Sequence, residues 1–195
     1  MSNNLAVVVA HPVTNFDHWK RVFDTDMPGR KAAGVLGHHL NRGADDPNMV
    51  YIFMPVTDRG RVEAFMANPD LKETMARAGV TAPPQVTWLE RIDANYVGDR
   101  SVAAAMIAHE VADFDAWKKS YDAAQPLRDQ AGIIGHAVNR VVGNPKLVLV
   151  YHQAETRAAL EAFVASADLK AVMQRAGVTS APQINFVQAQ PGALY

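Results

Sequence analysis

His11-Pro-Val-Thr-Asn-Phe16-Asp-His-Trp19-Lys20 returns as His109-Glu-Val-Ala-Asp-Phe114-Asp-Ala-Trp117-Lys118, a shift of 98 residues. The same shift carries Gly34-Val-Leu-Gly-His38 onto Gly132-Ile-Ile-Gly-His136, and Asn41-Arg42 onto Asn139-Arg140. It also carries Arg77-Ala-Gly-Val-Thr81 onto Arg175-Ala-Gly-Val-Thr179. No gap is needed between Ala6 and Ile92. About 35 of those 87 positions are identical, far above chance, so the chain is an internal duplication. The period is too long for a solenoid repeat, and each copy is a small domain in its own right. The expected domains are residues 1–95 and 103–195, joined by a linker over roughly 93–102 that contains Gly98.

Each copy reads the same way. Ala6–Ala10 and Ala103–Ala108 are short apolar strands. Asn15 and Asp113 are N-cap residues, whose side-chain oxygens can accept from the free amides of a helical first turn. Phe16, Trp19 and Phe23 then recur at helical spacing, as do Phe114, Trp117 and Tyr121. Pro28 and Pro126 cannot donate to that helix and bend or restart it. Strands are expected at Val35–Arg42 and Ile133–Val141, and at Met49–Val56 and Leu147–Gln153. Single helices follow over about 58–78 and 156–176, with Gly79 and Gly177 as left-handed C-caps. Last strands cover Gln85–Ile92 and Gln183–Gln188.

The order β-α-β-β-α-β, twice, predicts two ferredoxin-like α+β units, each a four-stranded antiparallel sheet with two helices on one face. The strands are apolar on both faces, Val7 and Val9 alternating with Val8 and Ala10. Each sheet therefore needs a cover on its second face, and the economical cover for one copy is the other. An intrachain pseudo-dimer follows as an expectation, with further homo-oligomers open.

On these segments the chain resembles the dimeric α+β barrels of the antibiotic-biosynthesis-monooxygenase-like superfamily, in a tandem, fused form. The resemblance spans nearly the whole chain. It rests on the topology, on His-x-Val-x-(Asn/Asp)-Phe-Asp-x-Trp-Lys and on Gly-(Val/Ile)-(Leu/Ile)-Gly-His. It implies paired antiparallel sheets with the helices outside. It also implies reaction classes such as cofactor-independent oxygenation, polyketide cyclisation or lactone isomerisation, with no motif choosing among them.

His11 and His109 end the first strands, a usual pocket rim, where an imidazole can take a proton from a phenol or an activated C–H. The structural alternative is a histidine that caps the turn. His38 and His136 share a strand face with apolar residues and need a hydrogen-bond partner if buried, while His39, found only in copy one, points the other way. Asn41-Arg42 and Asn139-Arg140 close that strand. They offer an oxyanion donor and a charge-assisted clamp, or simply a solvated strand end. Trp19 and Trp117 are core residues that can also wall a pocket. His152, opposite Met54, interrupts an apolar strand in copy two only. If His109 and His152 are close, mutual repulsion keeps at least one neutral, which favours copy two as the site.

Composition bounds the rest. With 19 basic and 20 acidic residues and no basic run, the footprint of a nucleic-acid binder is missing. No stretch approaches the roughly 20 apolar residues of a membrane span. The absence of cysteine removes disulfides and thiolate chemistry and fits a cytoplasmic protein. There is no His-Glu-x-x-His, no Gly-x-Gly-x-x-Gly and no Gly-x-Ser-x-Gly, so neither a metal nor an organic cofactor is expected. Two functions remain open. One is a cofactor-independent monooxygenase, cyclase or isomerase that abstracts a proton from a hydrophobic aromatic or polyketide-like molecule. The other is a non-catalytic ligand-binding or stress-related structural barrel protein.

Overall fold

The computed structural model describes residues 4–195. In the first copy, β1 (Leu5–Pro12) leads into α1 (Phe16–Thr25) and α2 (Met27–Ala32), then β2 (Gly37–Gly43) and β3 (Met49–Pro55). Next come α3 (Arg59–Met66), α4 (Pro69–Arg77) and β4 (Gln85–Asn95). The second copy repeats this as β5 (Ala103–Glu110), α5 (Phe114–Ala123), α6 (Gln125–Gln130), β6 (Ile133–Val141) and β7 (Asn144–Ala154). It continues with α7 (Arg157–Ala165), α8 (Ala167–Arg175) and β8 (Gln183–Ala189). A two-residue strand, β9 (Ala193–Leu194), was not foreseen; it pairs with Gly37 and His38 of β2.

Two compact units result. One is Met1–Leu89 together with Gln190–Tyr195; the other is Glu90–Ala189. The first unit thus takes a closing segment from beyond the second. The strand order is β2-β3-β1-β4 in one and β6-β7-β5-β8 in the other, the βαββαβ order in both. Register places Val9 opposite Ile52 and His11 opposite Val50. In the second unit Ile107 faces Val150 and His109 faces Val148. Asn15 and Asp113 cap α1 and α5 by accepting from the amides of His18 and Ala116. Pro28 and Pro126 stand in the first turns of α2 and α6, where a missing N–H costs nothing.

The single helices expected over 58–78 and 156–176 are each two. At Asn68 and Ser166 the backbone turns extended, and each side chain caps a new helix by accepting from Asp70 N and Leu169 N. Competition by a short polar side chain for the amides of the next turn breaks the run. Pro69 reinforces the break in the first copy only.

Gly34 and Gly132 occupy equivalent turns at φ +91° and +73°. A Cβ on Gly34 runs into the Thr57 hydroxyl, whereas at Gly132 there is open space because Glu155 replaces that threonine. Gly132→Ala should therefore cost only the left-handed backbone penalty, about 1–2 kcal/mol. Gly34→Ala should cost distinctly more. Urea unfolding of the two variants checks this, and equal losses would count against the Thr57 clash.

Candidate functional site

Between the sheet and the helices of the first unit lies a cavity of about 410 Å³. Strand alternation sends Val9 and His11 of β1 and Ile52 and Met54 of β3 into it. Trp19 and Phe23 descend from α1, Val62 from α3, and Arg30 from the last turn of α2. The walls are mainly apolar, with a few polar groups placed among them, which is the usual make-up of a small-molecule site.

His11 is 3% exposed and packs edge-on against Trp19 at 5.6 Å between ring centres. Burial lowers its pKa, opposed in part by a hydrogen bond to the Pro12 backbone. The ring is therefore neutral at pH 7, and Nδ1 has no protein partner. Arg30 is 4% exposed. Its guanidinium lies 3.6 Å over the Phe23 ring; Nη1 donates to Phe23 O at 2.6 Å and Nε to the Tyr195 hydroxyl at 2.8 Å. Nη2 is buried with no partner. Asp26 lies one helical turn back, its carboxylate 3.7 Å from Nη1. Burial raises the Asp26 pKa, and Arg30 opposes that rise. Tyr195 also shares a 2.8 Å hydrogen bond with His38 Nδ1. Burial, then the Arg30 charge, lowers the His38 pKa to about 4.

In the second unit the same place holds only about 50 Å³. Tyr121 replaces Phe23 and His152 replaces Met54, and the two share a hydrogen bond of 3.0 Å across the space. Phe163 closes edge-on against His152 at 5.4 Å. His109 and Trp117 line the remnant. Burial alone lowers His109 to about 4; burial, then Arg128, lowers His152 to about 3. The two histidines are thus brought to one cavity, and desolvation does more than repulsion to keep them neutral.

The other candidates lie elsewhere. His136 faces Asp93 at 3.4 Å. Arg42 donates to Pro47 O and covers Phe16; Arg140 pairs with Glu90 and covers Phe114. Asn139 donates to Leu149 O across the strands, and Asn41 is buried at the matching position of β2. None of these four strand-end residues lines either cavity. Arg30, Asp26 and Tyr195 went unnoticed in the sequence. Arg30 carried a signal, since it recurs as Arg128 two residues after a recurring proline. Tyr195 carried none, because it lies outside the repeated block. Among the described residues no group of three His, Cys, Asp or Glu side chains could hold a metal ion. No helix among them is long and apolar enough to cross a membrane.

No family model and no curated protein matches the chain. Solved structures do. An anthrone oxidase-like protein is 16% identical, with 99% of this chain and 94% of that one aligned at a TM-score of 0.69. A provisional monooxygenase from Lactobacillus acidophilus is 12% identical, over 97% of this chain and 95% of that one, with a TM-score of 0.64. A ferredoxin-fold protein from Listeria monocytogenes, related to antibiotic biosynthesis monooxygenases, is 7% identical over 95% and 94%, with a TM-score of 0.56. At these identities the likeness shows the fold alone: two ferredoxin-like α+β units written in one chain.

Proposed function

We propose that the first unit is the working half of a cofactor-independent enzyme that takes a proton from a hydrophobic aromatic or polyketide-like ketone. The observation that carries this reading is the pairing of a neutral buried imidazole, His11, with an unsatisfied guanidinium nitrogen, Arg30 Nη2, on one apolar cavity. His11 accepts the proton from an enolisable C–H or a phenol. Negative charge then spreads to the substrate oxygen. Arg30, held by Phe23 O and Tyr195, is a preorganised donor for that oxygen in a site where low dielectric strengthens the attraction. Trp19 and Phe23 supply flat walls for an aromatic ring system. The shared step is proton abstraction. Addition of dioxygen to the resulting carbanion, ring closure onto an internal carbonyl, or reprotonation at another carbon corresponds to oxygenase, cyclase or isomerase chemistry.

The larger cavity favours the first unit over the His109–His152 pair, which has little room for a substrate. The name of the anthrone oxidase-like neighbour supports the substrate class, since an anthrone is a flat aromatic ketone with an acidic methylene. The probe is therefore anthrone itself, followed by absorbance and oxygen uptake. His11→Gln should slow its consumption about 10²–10⁴-fold, the usual worth of a positioned base, and leave anthrone binding nearly intact. Equal rates for variant and parent would remove the base role. Binding by the parent without any consumption would establish the non-catalytic reading.

A further inference from the structure

Arg128 is the second unit's copy of Arg30, and it is as deeply buried, 3% exposed. Its surroundings differ in one decisive way. Where Arg30 has Asp26 one turn back, Arg128 has Ala124. The Arg128 guanidinium lies 4.0 Å over the Tyr121 ring, with Nη1 donating to Tyr121 O and Nη2 to Gln125 Oε1. Both acceptors are neutral, and Nε is buried with no partner. No acidic residue lines the adjoining cavity. Asp93 pairs with Lys118 and His136, Asp122 pairs with Lys118, Asp129 accepts from Gln125, and Asp168 lines the neighbouring open groove and not the cavity. A buried guanidinium with no counter-charge is an unfavourable arrangement that proteins ordinarily neutralise.

The same cavity holds further N–H groups that have no protein partner. His152 is neutral and meets the Tyr121 hydroxyl through Nε2. With the hydroxyl donating there, the ring proton sits on Nδ1, which has no partner. Both ring nitrogens of His109 are also without a partner, and a neutral imidazole carries one N–H. Arg128, His109 and His152 all line this one space of about 50 Å³. That is room for a body the size of one water or one halide. It is too small for an aromatic substrate. An open groove shares Ala124, Leu127 and Val172 with the cavity and carries Arg175 and Asp168 beside them.

We propose that the second unit binds a single small monovalent anion of halide size, held by Arg128 and the N–H groups of His109 and His152. The anion takes the electrostatic place that Asp26 has in the first unit. Divergence after duplication thus produced two different sites from one: a roomy cavity with its own carboxylate, and a tight one that takes its negative charge from solution.

The test uses the full chain. Thermal unfolding is followed while sodium chloride or bromide replaces sodium gluconate at constant ionic strength. The midpoint should rise by about 4 °C at tenfold over the dissociation constant, then continue only logarithmically. Crystals grown in bromide should show one anomalous peak among Arg128, His109 and His152. Ala124→Asp supplies the carboxylate of the first unit and should abolish the halide response. Arg128→Met, which removes the charge, should abolish it as well and provides the answer if Ala124→Asp does not fold. Identical midpoints in chloride and gluconate overturn the proposal. So does a halide response that persists in the variants, or density there without anomalous signal, which would identify a water.

Discussion

Taken from pH 7 to pH 4, the protein is expected to lose most of its folded population. Burial depresses the pKa of His38, His39 and His109 to about 4 and that of His152 to about 3; it lowers His11 as well. The sign follows from proton uptake. Below about pH 6.5 the histidines of the unfolded chain bind protons while the buried ones do not, so acid favours unfolding. The stability they contribute is complete above pH 6.5. It drains as pH falls toward 4 and levels off once the folded rings also protonate. A depression of about 2.5 units corresponds to about 3 kcal/mol per ring, against a total stability of about 5–15 kcal/mol. Summed over the four rings, that contribution is of the same order as the total. Asp26, whose pKa is raised, works in the opposite direction as a single group. Urea titrations at pH 7, 5.5 and 4.5 check the slope, and a flat profile would sink the claim.

Replacing Arg30 by methionine should weaken an anionic aromatic ligand by about 100-fold, the scale of a lost buried charge-assisted contact. Anilinonaphthalene sulfonate and its uncharged relative phenylnaphthylamine make a matched pair of fluorescent probes. The first should lose affinity in Arg30→Met and the second should lose much less. Arg30 also fastens Tyr195 and the Phe23 carbonyl, so a general loosening of the unit is a competing effect. It would weaken both probes alike, and that outcome would argue against a charge-reading site.

The duplication and the element order could be read directly, because a gapless repeat and apolar periodicity are properties of the string. Strand alternation puts His11 on the face of Val7 and Val9, and Val9 and His11 line the same cavity. Of the two-helix breaks, the one at Asn68 is marked in the sequence by the Asn68-Pro69 dipeptide, whereas the one at Ser166 has only a short polar side chain to mark it. What could not be read was the difference in volume between the two sites. It comes from Phe23 against Tyr121 and Met54 against His152, and it persists although Ala124 is smaller than Asp26. Each exchange is modest alone, and only packing shows that a tyrosine and a histidine meet across the gap. Tyr195 was illegible for another reason: its partners lie 165 and 157 residues away.

That distance shapes how the protein is made. The ribosome delivers residues 90–189 as one uninterrupted unit, but the first unit waits for Gln190–Tyr195. Until then Arg30 Nε and His38 have no phenol to share, and the edge of β2 beside Gly37 has no β9. The half that is translated first is therefore the half that is finished last. A nascent chain stalled before residue 190 carries every residue of the second unit and a first unit whose Arg30 still lacks its phenol, so translation itself sets the order in which the two units are completed.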